Sequence, residues 1–174
     1  MDIKLTHRLS YKQARLTVLV GFVLGTMLSL LQIGMDYASE NAAINREIES
    51  LLDISHNPAS RIAYNLDSEL AQELVMGLMR APAITGVQIS DNDKNMLANG
   101  REQPDNGRYR ALSDFLFGSM RTFDDRLYFN HLPEQSVGVL HLEVDTYPFG
   151  SRFLHRAELT LLSGFARSLL LTFI

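Results

Sequence analysis

From Leu16 to Met35 the chain reads LTVLVGFVLGTMLSLLQIGM, 20 consecutive residues without a charge. As a helix this run is about 30 Å long, the thickness of the hydrocarbon core of a bilayer. Thr17, Thr26, Ser29 and Gln32 interrupt it, but they form no polar stripe of the kind a half-buried helix presents to water. A cleaved signal peptide has a shorter apolar stretch, roughly 7–15 residues, and a small-x-small site. The sequence that follows, GMDYASENAA, offers no A-x-A. A retained membrane anchor over 16–35 is therefore expected. Lys4, Arg8, Lys12 and Arg15 precede it against Asp2 alone, whereas Asp36, Glu40, Glu47 and Glu49 follow it against Arg46. The positive-inside rule then places residues 1–15 in the cytoplasm and the chain from residue 36 across the membrane. Within the run, Gly21 and Gly25 have the spacing that lets two helices approach closely, and so point to anchor packing in a dimer.

A chain that has crossed once needs a way back, and the C-terminal sequence RAELTLLSGFARSLLLTFI starts one. Arg167 would cost about 2.5–3.5 kcal/mol at mid-bilayer, so it is expected to snorkel at the outer interface. The apolar stretch after it is too short to cross. Residues 159–174 are thus expected to be the start of a second transmembrane helix, cut before its end.

Residues 36–158 carry 11 Lys+Arg and 19 Asp+Glu, a net charge of −8. They form an acidic domain, large enough for a modest core, that suits no nucleic-acid partner. The chain has no Cys, so disulfides and thiolate metal sites are excluded. Ile44, Ile48, Leu51 and Leu52, with Tyr37 in the same heptad phase, make a narrow helical stripe. It fits either a two-helix seam leaving the membrane or a helix packed on its own domain. Pro58 is expected to break or kink this helix. A second helix, about 59–80, would use Ile62, Leu66, Leu70, Leu74 and Leu78 as its apolar face, with Asp67 capping a local restart and Pro82 ending it. The period then changes to two. AITGVQIS, the turn DNDKN and MLANG read as a hairpin, REQPDNGRYR as a mobile polar loop, 127–130 as a strand, and Val137–Val144 as a strand with Leu140, Leu142 and Val144 on one face. The order helix, helix, hairpin, strands and exit helix (Phe149–His155) predicts an α+β domain with an antiparallel sheet.

This arrangement resembles periplasmic PAS-like and Cache-like sensor modules. NPASRIAYNLDSELAQELVMGLMRAPAITGVQISD is similar to the start of the periplasmic domain in membrane-bound cyclic-di-GMP proteins with GGDEF and EAL output domains. The likeness rests on Pro58, Ala63, Tyr64, Leu66 and Asp67, and extends to YRALSDFLFGSMRTF and GVLHLEVDTYPFG. The group most resembled is the biofilm-regulating phosphodiesterases of pseudomonads and relatives. The resemblance implies a bacterial inner-membrane protein with a cytoplasmic cyclase or phosphodiesterase beyond Ile174. The GGDEF and EAL motifs themselves do not occur in these residues.

Catalytic signatures are absent from the sequence. Of the histidines (His7, His56, His131, His141 and His155) no two have metal-ligand spacing. Asp91–Asp93 and Asp124–Asp125 read as turn residues. There is no phosphate loop or nucleophile elbow. The expectation is a non-enzymatic chain without cofactor or metal. Arg108, Tyr109, Arg110 and Arg121 are candidates for holding a ligand carboxylate, or else are surface groups. The functional expectation is an extracytoplasmic input region acting as a homodimer in the lipid bilayer, sensing a periplasmic small molecule or protein. The alternatives are a stand-alone two-pass scaffold and the sensor of a histidine kinase or chemoreceptor.

Overall fold

A computed structural model describes residues 3–129 and 132–173, with side chains for 15–128 and 135–166. Asn130, His131 and Ile174, and the side chains of Lys4, His7, Arg8, Lys12 and Arg167, lie outside the described residues. The elements are α1 (Ile3–Asn65), α2 (Ser68–Leu78), β1 (Ile84–Asp91), β2 (Met96–Arg101), α3 (Arg110–Phe117), β3 (Met120–Phe129), β4 (Leu132–Asp145) and α4 (Tyr147–Phe173). The protein is a mixed α+β chain with one four-stranded antiparallel sheet and one long apolar helix. It divides into two compact units, Met1–Ser39 with Phe153–Ile174, and Glu40–Arg152.

In the first unit, Leu16, Leu19, Leu24, Leu28 and Leu31 all stand exposed. Among the described residues α1 is the one helix long and apolar enough to cross a membrane. Tyr37 of α1 meets Phe153 of α4 edge to face, with ring centroids 6.0 Å apart. A Cβ on Gly164 would lie 3.1 Å from Ser29 Oγ, whereas one on Gly21 or Gly25 would meet nothing within 4 Å.

In the second unit the strand order is β2-β1-β4-β3. Alternation sends Val87 and Ile89 of β1, Ala98 of β2, Leu127 of β3, and Leu140, Leu142 and Val144 of β4 to one buried face. Helices pack on that face. Val75 of α2 lies where a Cβ on Gly100 would be, and Ala63 of α1 stands 3.0 Å from where one on Gly138 would be. Gln88, Asn99, Asp124, His141 and Glu143 line the other, more open face. Such one-sided burial is common in antiparallel sheets. Arg101 Nη2 lies 2.6 Å from both carboxylate oxygens of Glu143, and His141 Nδ1 lies 2.5 Å from Asp124 Oδ1. The hydrogen bond from Arg101, opposed by partial burial and aided by the charges of Arg101 and His141, holds the Glu143 carboxyl below the usual glutamate range. A depressed folded-state pKa adds stability that is present above the unfolded value and is lost as pH falls through the folded one. Arg101→Gln is therefore expected to lower the melting temperature slightly at neutral pH and to leave it nearly unchanged at pH values below the folded pKa, so that the acid limb of a thermal-unfolding profile becomes shallower.

Three sequence expectations are corrected. Pro58 does not end the first helix; α1 continues through it to Asn65. The break falls instead at Leu66, whose φ of 55° is left-handed. Asp67 N–H donates to Ile62 O (3.2 Å) and Leu66 N–H to Ala63 O (3.4 Å), the paired closure of a Schellman motif. Asp67 then caps α2 by accepting from Leu70 N–H at 3.1 Å, so the expected restart occurs there. Asp67→Ala is expected to cost about 1 kcal/mol in chemical unfolding. The every-fourth-residue face also changes: Leu66 and Leu70 are exposed, and Ala71, Val75 and Leu78 are the buried positions of α2. Finally, Asp124–Asp125 are not in a turn but in β3, which begins at Met120 after the short helix α3.

The hairpin and the β4 face match expectation. Asn92, Asp93, Lys94 and Asn95 connect β1 to β2, with Lys94 at φ 62°, a left-handed residue inside the loop. Asp91 Oδ1 accepts from Asn95 N–H at 2.8 Å, the turn role read for that carboxylate. Ile44 and Ile48 are buried within the unit, the second of the two packings the helical stripe allowed.

Candidate functional site

Pro82 follows α2, and Ile84 N–H donates to Ala81 O (2.9 Å) as the chain turns into β1. Asp145 N–H donates to Ala83 O (2.7 Å), which brings the end of β4 beside this turn. Asp145 Oδ1 accepts from Tyr147 N–H at 3.0 Å and so starts α4. The first turns of α4 present Pro148, Phe149 and Arg152 towards Ile48 and Leu51 of α1. Together with Pro82 and Ile84 they enclose an apolar cleft of about 140 Å³. A cavity of about 150 Å³ lined by aliphatic and aromatic groups holds a molecule the size of benzene.

Two charges border the cleft, Glu47 from α1 and Arg152 from α4. The Arg152 guanidinium lies 5.0 Å from the Phe149 ring centroid. Among the described residues it has no carboxylate partner. A guanidinium over an aromatic face, beside an apolar cavity, suits a small apolar molecule carrying an anionic group.

The four residues singled out from the sequence occupy other places. Arg110, at the start of α3, is held by Asp114 (Nε to Oδ2, 3.0 Å) and by Asp145 (Nη1 to Oδ2, 2.6 Å). Burial works against its charge, but hydrogen bonds to Asp145 and Asp114 and their negative charges prevail and raise its pKa above the arginine value. Its donors are thus engaged within the fold. Arg108 is exposed, 5.5 Å from the Tyr109 ring centroid. Arg121, on β3, donates to Asn45 Oδ1 (2.7 Å) and Asn41 Oδ1 (2.6 Å) of α1. Further along β3, Asp125 Oδ2 is 2.7 Å from His56 Nδ1, while His56 Nε2 is 3.1 Å from the Tyr128 carbonyl oxygen. Arg121 and Asp125 are ties between sheet and helix.

No group of three or more His, Cys, Asp or Glu side chains is placed to hold a metal ion among the described residues. Sequence reasoning missed Glu47 and Arg152. The one available signal was Arg152 three residues after Phe149 in the exit helix, one turn further on the same face. No family model matches the chain, and none of the curated proteins compared with it does either.

Proposed function

We propose that this chain is the extracytoplasmic input region of a membrane-bound signalling protein. The observation that carries the reading is the exposed, uncharged 16–35 stretch of α1 in a chain whose sheet unit is joined to the rest through α1 and α4. The charge asymmetry around that stretch favours a cytoplasmic N-terminus and a periplasmic sheet unit. The Tyr37–Phe153 contact and the closeness of Gly164 to Ser29 favour α4 as a returning second span beside α1. An antiparallel sheet with helices on one face is compatible with a PAS-like or Cache-like module. The resemblance to GGDEF–EAL proteins supplies the output, control of cyclic-di-GMP turnover in the cytoplasm. On this reading the cleft is the input site, and a bound ligand would touch α1 and α4 together. A ligand shifts such a protein only by binding its two states with different affinity.

Reporter fusions test the reading. A periplasm-active reporter at residue 100 should be active and one at residue 10 inactive. A cytoplasmic residue 100 would overturn both the orientation and the sensor role.

A further inference from the structure

Between α1 and α2 lies a wide groove of about 710 Å³. Pro58, Ile62, Leu70 and Leu74 line it together with the polar Asn57, and it carries one cation and one anion, Arg61 and Glu73. Arg61 and Glu73 are both exposed. Neither reaches the other, and among the described residues neither has any ionic or hydrogen-bond partner. On α1, one turn before Pro58 and on the same stripe, Ile54 is 71% exposed; Leu70 of the groove is 49% exposed. The groove thus has apolar side chains, a charge of each sign and a protruding aliphatic side chain one helical turn away.

We propose that the groove is the interface between two copies of this chain. Leu70 and Ile54 stand exposed beside charges of both signs, apolar side chains that a second protein surface would cover. The charges choose the partner. In a twofold interface the same patch faces itself, so residue i of one copy meets residue j of the other, and the reverse contact forms as well. A patch bearing one unpartnered cation and one unpartnered anion is complementary to itself under that operation. Arg61 of each copy pairs with Glu73 of the other, and Ile54 of each copy packs at the edge of the other's groove. A partner carrying one sign of charge would leave the opposite charge facing an apolar surface, at a cost. The inference goes beyond the sensor reading and does not depend on it, because a scaffold would dimerise through the same groove.

The absence of Cys makes a direct test available. The full chain carrying Ile54→Cys, treated in native membranes with a short bis-maleimide, should form a covalent dimer, whereas Phe115→Cys, at a position 84% exposed on α3, should not. In the Ile54→Cys background, Arg61→Glu sets two carboxylates against each other at both contacts, and Glu73→Arg does the same with two guanidinium groups. Each is expected to lower cross-linking at least about tenfold, since like charges brought face to face across an interface are strongly unfavourable. Co-expressing the two single variants under different tags should restore a mixed dimer, because each then supplies the sign that the other lacks. This rescue also shows that both variants fold. Overturning results are an Ile54→Cys chain that stays monomeric, as a peptide partner would leave it, and cross-linking indifferent to charge, as dimerisation through the membrane helices alone would give. Failure of the mixed pair to recover would overturn it too.

Discussion

Arg110→Ala is expected to lower the unfolding free energy of the sheet unit by about 3–5 kcal/mol, the cost of leaving a buried charge without its partner. Asp145 is nearly inaccessible, its side chain 2% exposed, and its Oδ2 lies 2.6 Å from Arg110 Nη1. Without the guanidinium that carboxylate stays buried, with only the Tyr147 amide among the described residues to satisfy it. Asp145→Ala should be at least as damaging, because it removes both the ion pair and the bond that starts α4. The informative comparison is Arg110→Met combined with Asp145→Asn. It removes both charges and keeps a side-chain oxygen for Tyr147 N–H, so it should recover much of the loss, as apolar or neutral replacements of a whole buried pair do. Chemical unfolding of the full chain in detergent, followed by tyrosine fluorescence and far-ultraviolet circular dichroism, measures all three. If Arg110→Ala were within about 1 kcal/mol of the parent, the pair would contribute little more than a surface ion pair.

Inserting one alanine after Arg156 is expected to abolish signal output, whereas inserting seven restores it. Each helical residue turns the chain by about 100°, so one insertion rotates everything beyond it by more than a quarter turn. Seven residues come within about 20° of two full turns. On the proposed function the readout is cyclic-di-GMP level in cells carrying the protein with its output domain. Equal output from the two insertions would show that the rotational phase of α4 carries no signal. The scaffold reading would then stand ahead of the sensor.

The parts of the fold legible in the sequence are those where one physical signal acts alone. The apolar helix was legible because no charge interrupts 20 residues. The hairpin was legible because Asn and Asp cluster between two alternating runs, and β4 because Leu140, Leu142 and Val144 alternate with polar residues. Elsewhere two signals conflicted. Pro58 reads as a helix break, yet only one backbone bond is lost there, and the burial of Ala59, Ile62 and Ala63 holds the helix together beyond it. The actual stop, Leu66, carries no glycine to announce it. β3 was legible only at its end because its covered face bears Arg121 and Asp125, whose partners Asn41, Asn45 and His56 lie about 70–80 residues earlier in the chain. A charge pointing inward makes a strand look like a turn. The cleft was illegible for a related reason: its walls come from three segments far apart in sequence, and neither Glu47 nor Arg152 belongs to any local pattern.

The position of β4 has a mechanical consequence. It lies between β1 and β3, bonded on both sides, and its C-terminal end continues almost at once into α4. Tension carried by α4 therefore enters the sheet through the end of a central strand and strains the flanking rows of hydrogen bonds together, in shear. An edge strand pulled sideways gives way one bond at a time, like a zip. The sheet can thus bear a load from α4 without unravelling, and the softer response to such a load lies in helix rotation or sliding, the motions by which packed helices shift.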